Sequence, residues 1–189
     1  MWSRIVFFLL ISSWAVAQAK APAPVSVDND FIHQQFSSTC NLESRWAPLA
    51  ADLNGDGVED LVVVARCKNP IIEQDDKNYR VIDPLDSFYG YGNTKITTAF
   101  GQDDPRLHGI CLLIIHGSGR EAWRSATPEA KFVIINIAVK TVAVKKMKIS
   151  KKRTTTAIYL EEETGDEMTS AIFWDGKKYR YDQLGSGME

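Results

Sequence analysis

The residues of this sequence best suited to chemistry are the acidic side chains of one short loop. The loop lies in ADLNGDGVEDLVVVA, residues 51–65, where oxygen-bearing side chains occupy positions 1, 3, 5 and 9 counted from the first acid. Hard oxygen donors at alternate positions are typical of a loop that curls around Ca²⁺, and position 7 can add a backbone carbonyl. The predicted ligands are therefore the side chains of Asp52, Asn54, Asp56 and Asp60 and the carbonyl oxygen of Val58.

The crowding of like charges gives a physical reason to expect a cation. Three carboxylates brought close together repel one another, so that one must take up a proton or move away unless a divalent ion lies between them. Gly57, at position 6, permits the sharp turn, and Glu59, at position 8, is expected to point to solvent. The alternative is a plain acidic turn, because Asn-Gly and Asp-Gly form turns without a metal.

The stretch DLNGDGVEDLVVV resembles the FG-GAP or VCBS type of calcium loop, which joins two strands in extracellular β-proteins such as the integrin propeller blades. The resemblance covers residues 46–65 and implies Ca²⁺ bound by the same five ligands. It is carried by three acids, one amide side chain and one glycine of the loop: Asp52, Asn54, Asp56, Gly57 and Asp60. An EF-hand is excluded, because Val63 stands where a bidentate Glu is needed. The motif occurs once, so a full propeller is not implied.

The first 19 residues predict a cleaved signal peptide. Arg4 precedes a short apolar run over residues 5–16, and small residues suited to signal peptidase follow. The run is shorter than the roughly 20 residues of a membrane-spanning helix. Residues 20–28 are rich in Pro and Ala and predict a tether, and residues 29–189 predict a single globular domain. We therefore expect a secreted or periplasmic protein with no membrane span after cleavage.

Three cysteines, Cys40, Cys67 and Cys111, allow three single pairings in an exported protein. If residues 46–51 and 61–66 are the strands that flank the acidic loop, the hairpin carries Cys67 close to Cys40. This geometry favours a Cys40–Cys67 disulfide, with Cα atoms roughly 4.4–6.8 Å apart. The alternative is that all three are small buried side chains.

The pattern of apolar residues predicts an α+β fold that is mainly antiparallel β-sheet with one or two short helices. The segment DNDFIHQQFSS favours a helix, and a second one is possible near residues 96–100 of the irregular stretch 68–109. Strands are predicted at 109–117, 131–139, 141–149 and 154–163, and a hairpin with an Asp175-Gly176 turn at 170–182.

Net charge is −2 over 189 residues, which indicates no general attraction to nucleic acid or membranes. A basic stretch, KTVAVKKMKISKKR, is typical of a solvated hairpin that protects a sheet edge, although it could also neutralise an anionic polymer. The partner therefore stays open, and an extracellular protein or a polysaccharide are the candidates.

Two segments suggest enzymes but lack the rest of the machinery. LLIIHGSG resembles the oxyanion loop of α/β-hydrolases, yet no Gly-x-Ser-x-Gly follows it and no His follows His116. His108, Cys111 and His116 match no standard zinc spacing, and His33 is expected to be an ordinary helix residue. We expect a calcium-stabilised domain with a non-enzymatic role in binding, adhesion or structure. The alternative is a small secreted hydrolase with unidentified catalytic residues.

Overall fold

The computed structural model describes residues 26–83, 109–137, 139–161 and 170–184. The expected signal peptide, most of the tether and the helix expected near residues 96–100 lie outside these ranges. Within them the protein consists of two β-sheets and one α-helix, with no closed barrel and no propeller. The mainly antiparallel sheet is thus confirmed for the described residues. None of the helices in these ranges is long and apolar enough to cross a membrane.

The first sheet has six strands. They are β1 (Cys40–Leu42), β2 (Leu49–Ala51), β3 (Asp60–Cys67), β4 (Arg80–Ile82), β5 (Ile110–His116) and β6 (Ala130–Ile134). The order across the sheet is β1-β3-β5-β6-β4, and β2 pairs with β3 on the same side as β1. All pairs are antiparallel except β4 with β6. The parallel pair was not expected from the sequence.

The central strands β3 and β5 are apolar along almost their whole length because both faces of the sheet are covered. One face packs against α1 (Asn29–Gln35), which confirms the predicted helix and buries Phe31 and Ile32. Asp28 caps this helix by accepting a hydrogen bond from the amide of Phe31 at 2.9 Å.

The other face of the first sheet packs against a four-stranded sheet. Its strands are β7 (Thr141–Lys148), β8 (Thr154–Glu161), β9 (Ser170–Trp174) and β10 (Tyr179–Gln183), in the order β10-β9-β8-β7. The predicted hairpin is confirmed, but the prediction of a two-residue turn was wrong, because Asp175–Lys178 separate the paired strands. The Asp175 carboxylate accepts both the Lys177 and Lys178 amides and holds this wider turn.

The Cys40–Cys67 disulfide is confirmed. The two residues are directly opposite in the β1–β3 register, at a pair that exchanges no backbone hydrogen bonds, which is where antiparallel strands come closest. Their Cα atoms are 3.9 Å apart, closer than the sequence led us to expect. Residues 43–48 loop out between β1 and β2, so the strand predicted for 46–51 is confined to Leu49–Ala51, and this loop brings Cys40 into register.

Candidate functional site

The acidic loop connects β2 to β3 and is folded around its own backbone amides. Asp52 accepts hydrogen bonds from the amides of Gly55 at 2.7 Å and Gly57 at 3.1 Å. Asp56 accepts one from the amide of Val58 at 2.7 Å. Both glycines have positive φ, +84° and +83°, a conformation that other residues rarely adopt. The loop therefore curls as its glycine spacing predicts.

Asp60 lies beneath the loop with 0 % of its surface exposed. Its carboxylate accepts hydrogen bonds from the amides of Leu53 and Gly117, both at 2.8 Å. Burial raises the pKa of Asp60 to about 6, although these amides favour the charged form. The carboxylate is therefore largely ionised at neutral pH, and its negative charge is buried.

Glu129 is a site residue that sequence reasoning missed. The side-chain amide of Asn54 donates to the carboxylates of Asp56 at 3.0 Å and of Glu129 at 3.1 Å. Glu129 is itself held in place because its amide donates to the carbonyl of His116 at 3.0 Å. It lies 75 positions beyond Asn54 in a segment with no local motif, so nothing in the sequence links the two.

The carboxylates of Asp56 and Glu129 accept hydrogen bonds from the same side-chain nitrogen of Asn54, which places the two acids side by side. Burial acts to raise the pKa of Asp56, but hydrogen bonds from the Val58 amide and the Asn54 side chain outweigh it and hold that pKa below its usual range. In the described parts of the chain, neither acid forms an ion pair with a Lys or an Arg. The two acids therefore lie side by side without a basic partner in those parts.

The predicted ligands all lie between β2 and the start of β3, and their side chains differ in their hydrogen-bond partners. Asn54, Asp56 and Glu129 form a cluster at the surface, whereas the carboxylates of Asp52 and Asp60 are turned toward backbone amides. Over the residues that the structure describes, no three acidic, His or Cys side chains form a ready set of metal ligands.

Trp123 and Arg124 form hydrogen bonds to Glu59, the residue before β3. The carbonyl of Glu59 accepts from the amide of Trp123 at 3.1 Å, and its carboxylate accepts from the Trp123 indole at 2.9 Å and from Arg124 at 3.1 Å. Glu59 is exposed, as expected, but it is not free in solvent. Gly117 is needed at this contact, because a Cβ there would come within 2.4 Å of the Glu59 carbonyl oxygen.

His116 lies at the end of β5, on the face toward the second sheet. Its Nε2 shares a hydrogen bond of 2.6 Å with the Tyr179 hydroxyl, and Phe132 and Trp174 pack around the ring. Burial lowers the pKa of His116 to about 4. The side chain is therefore neutral at ordinary pH and is part of the contact between the two sheets.

Cys111 packs on the opposite face of the same strand, with the disulfide and α1. A zinc ion shared by Cys111 and His116 is therefore excluded by the pleat of β5, and His108 lies outside the described residues. The amide of Gly117 donates to Asp60, so it is not an open oxyanion donor. His33 is half-buried on α1, as expected of an ordinary helix residue.

A cleft of about 250 Å³ adjoins the acidic loop and shares Glu129 with it. Lys131 also lines the cleft, but its ammonium group donates to the carbonyl of Gln35 at 2.7 Å. No Ser, Cys or His is among the described residues that line it.

No protein-family model, no curated protein and no solved structure matches this chain. The resemblance of the loop to FG-GAP and VCBS calcium loops thus gains no support from a relative. The function has to be argued from the residues of the chain itself.

Proposed function

We propose that this is a secreted or periplasmic domain whose acidic loop binds one Ca²⁺ ion, and that its role is binding, adhesion or structural. The observation that carries the proposal is the shared Asn54 donor, which holds Asp56 and Glu129, two acids from distant segments, side by side with no basic partner in the described residues. Two carboxylates in this position repel each other unless a proton or a cation reduces the repulsion. A hard divalent ion with oxygen ligands suits this set.

The ligands are the side-chain oxygens of the loop, the carbonyl of Val58 and, in addition, the carboxylate of Glu129. Each carboxylate oxygen can accept more than one contact, so the backbone amides that orient Asp52 and Asp60 need not be released when the ion binds. The loop has to tighten until the oxygens reach the ion at roughly 2.3–2.6 Å.

The expected affinity is modest because one side of the site is open. Asp56 and Glu129 are both exposed, so water completes the coordination sphere. Extracellular modules of this kind have dissociation constants of about 10⁻⁴–10⁻³ M. An ion at ten times its dissociation constant, bound to the folded state alone, adds about 1.4 kcal/mol to the free energy of unfolding.

Thermal melts of the mature protein in millimolar Ca²⁺, in Mg²⁺ and in chelator test the proposal. Ca²⁺ should raise the wild-type midpoint, and Asp56→Asn should abolish the increase. Asp76→Asn is the matched control, because it removes one exposed acid far from the loop in sequence. If Ca²⁺ leaves the wild-type midpoint at its value in chelator, the loop is only a turn.

Two further variants separate ligands from supporting residues. Glu129→Gln should weaken Ca²⁺ binding, because it removes one of the negative charges at the ion. Glu59→Ala should keep the Ca²⁺ increment, although the baseline stability falls with the loss of the Trp123 and Arg124 contacts. If the Ca²⁺ affinity of Glu129→Gln equals that of wild type, Glu129 is not a ligand. The proposed ligands within the loop are not affected by that result.

The proposed location is supported by the disulfide, since such bonds persist in oxidising compartments. Expression of the full chain in a bacterial host, followed by fractionation and N-terminal sequencing, tests it directly. The mature protein should leave the cytoplasm and begin after Ala17 or Ala19. An intact N-terminus on cytoplasmic protein would contradict the proposal.

A further inference from the structure

Two short connections lie side by side at one end of the four-stranded sheet. They are residues 149–153, which join β7 to β8, and residues 175–178, which join β9 to β10. The Arg153 guanidinium links them by donating to the carbonyl of Asp175 at 2.9 Å. Together with β7 they form what we call the basic end, whose exposed turn residues include Lys151, Lys152, Lys177 and Lys178.

The basic end carries far more positive charge than the rest of the chain. Residues 141–153 and 175–178 hold eight Lys and Arg and one Asp, a formal charge of +7, whereas the whole chain has −2. The one acid, Asp175, is paired with Arg180 of β10. Protection of the β7 edge accounts for the lysines on that strand, but it does not account for four more on the turns.

The positive charge wraps around a corner of the sheet. Lys145 lies three residues back along β7 from Lys148, about 10 Å from the turn at roughly 3.3 Å per residue. Lys145 and Lys146 point to opposite faces of the sheet because they are adjacent in a strand. A flat membrane that touched the turns would leave Lys145 about a screening length away. Duplex DNA, with a persistence length of about 50 nm, is too stiff to follow the corner.

A flexible anionic chain can bend around this corner of the sheet. The side chains of the basic end favour a polysaccharide over a single-stranded nucleic acid. Single strands bind through aromatic side chains on which the bases stack. The described aromatic residues of β9 and β10 are engaged elsewhere: Phe173, Tyr179 and Tyr181 are buried, and Trp174 packs on His116. The lysines are compact, hydrated charges that suit sulfate or carboxylate groups spaced along a chain.

We propose that the basic end binds a linear anionic polysaccharide through its lysine side chains. The interaction is electrostatic and does not require Ca²⁺. It therefore stands apart from the acidic loop, and each proposal can fail without the other.

The test uses the mature protein and heparin as the sulfated polysaccharide, with binding measured in chelator over a range of salt concentrations. The variant Lys151→Gln/Lys152→Gln/Lys177→Gln/Lys178→Gln should raise the dissociation constant at least tenfold. If each lysine releases about 0.7 counterion, as on a flexible single-stranded polyanion, the slope of log affinity against log salt should become shallower by up to about 3.

The matched control removes four positive charges elsewhere: Lys68→Gln, Lys77→Gln, Arg80→Gln and Arg120→Gln. Its dissociation constant for heparin should stay within about twofold of the wild-type value. This result would show that binding depends on the lysines of the basic end and not on the net charge of the protein. Circular dichroism and a melt check that both variants are folded. Equal losses in the two variants, or no binding by wild type, would overturn the proposal. So would tighter binding of poly(dT) or of vesicles containing anionic lipid than of heparin.

Discussion

The first sheet joins strands from distant parts of the chain, whereas the second is a meander in which each strand pairs with its neighbour in sequence. The first sheet is fastened by specific contacts: a disulfide between β1 and β3, and the amide of Gly117 on the Asp60 carboxylate. The second sheet depends on short turns and on the apolar face that it presents to the first.

The two sheets also differ in how their charged residues are arranged. Beside the first sheet, acids from two segments lie side by side at one loop, which is the arrangement behind the proposed cation site. In the second, lysines are spread over two turns and a sheet edge, which suits many weak contacts with a long polymer. The comparison teaches that long-range contacts bring acids from distant segments together, whereas the turns of a meander place lysines along a surface.

Loss of the disulfide should have the largest effect on the first sheet. The double variant Cys40→Ala/Cys67→Ala opens a crosslink between residues 27 apart in sequence, which by the loop-entropy relation costs about 3.5 kcal/mol of unfolding free energy. Urea denaturation measures the loss. Cys111→Ala, which removes a buried thiol but no crosslink, should cost only about 1 kcal/mol. Equal losses in the two variants would show that the crosslink adds no stability.

Gly117→Ala should disrupt the close packing of Gly117 against Glu59 beside the acidic loop. A Cβ there would lie 2.4 Å from the Glu59 carbonyl oxygen and 2.8 Å from the Trp123 amide nitrogen, so backbone has to move. We expect a loss of about 3 kcal/mol, at the upper end of the usual range for overpacking. Gly119→Ala meets no atom within 4 Å and should cost about 1 kcal/mol for its positive φ alone. Similar costs would contradict the close contact.

His116→Gln tests the contact between the two sheets through the pH dependence of the free energy of unfolding. Burial lowers the pKa of His116 from 6.5 to about 4, so between these values the unfolded chain binds more protons than the folded protein. Wild-type stability should therefore fall on acidification, by about 2 kcal/mol relative to the variant between pH 7.5 and 5. The comparison is made in chelator. Parallel pH profiles for the two proteins would show that His116 is not buried in neutral form.

The strands of the second sheet could be predicted because they are rich in β-branched and aromatic residues and each pairs with its neighbour in sequence. The prediction for 141–149 differs from β7 by a single residue, and Asp175-Gly176 marked the hairpin. In the first sheet, the short strand β4 was missed. It has only three residues and pairs in parallel with β6, about 50 positions later, so no local pattern indicates it.

The same distinction between local patterns and long-range contacts applies to the candidate site. Spacing alone identified the loop and its acids, because the curl of the loop is a local property of Asp52 to Asp60. Glu129, Gly117 and Trp123 reach the loop only through the pairing of β3 with β5 and the chain that follows β5. Their roles depend on tertiary contacts and could not be predicted from the sequence.

The central claim, one Ca²⁺ ion at the acidic loop, is tested most directly by isothermal titration of Ca²⁺ into the chelator-treated mature protein. We predict one ion per chain with a dissociation constant of about 10⁻⁴–10⁻³ M, lost in Asp56→Asn and unchanged in the four-lysine variant of the basic end. No saturable uptake up to about 10 mM, ten times the weakest expected constant, would contradict the claim. Uptake that Asp56→Asn leaves intact would also contradict it.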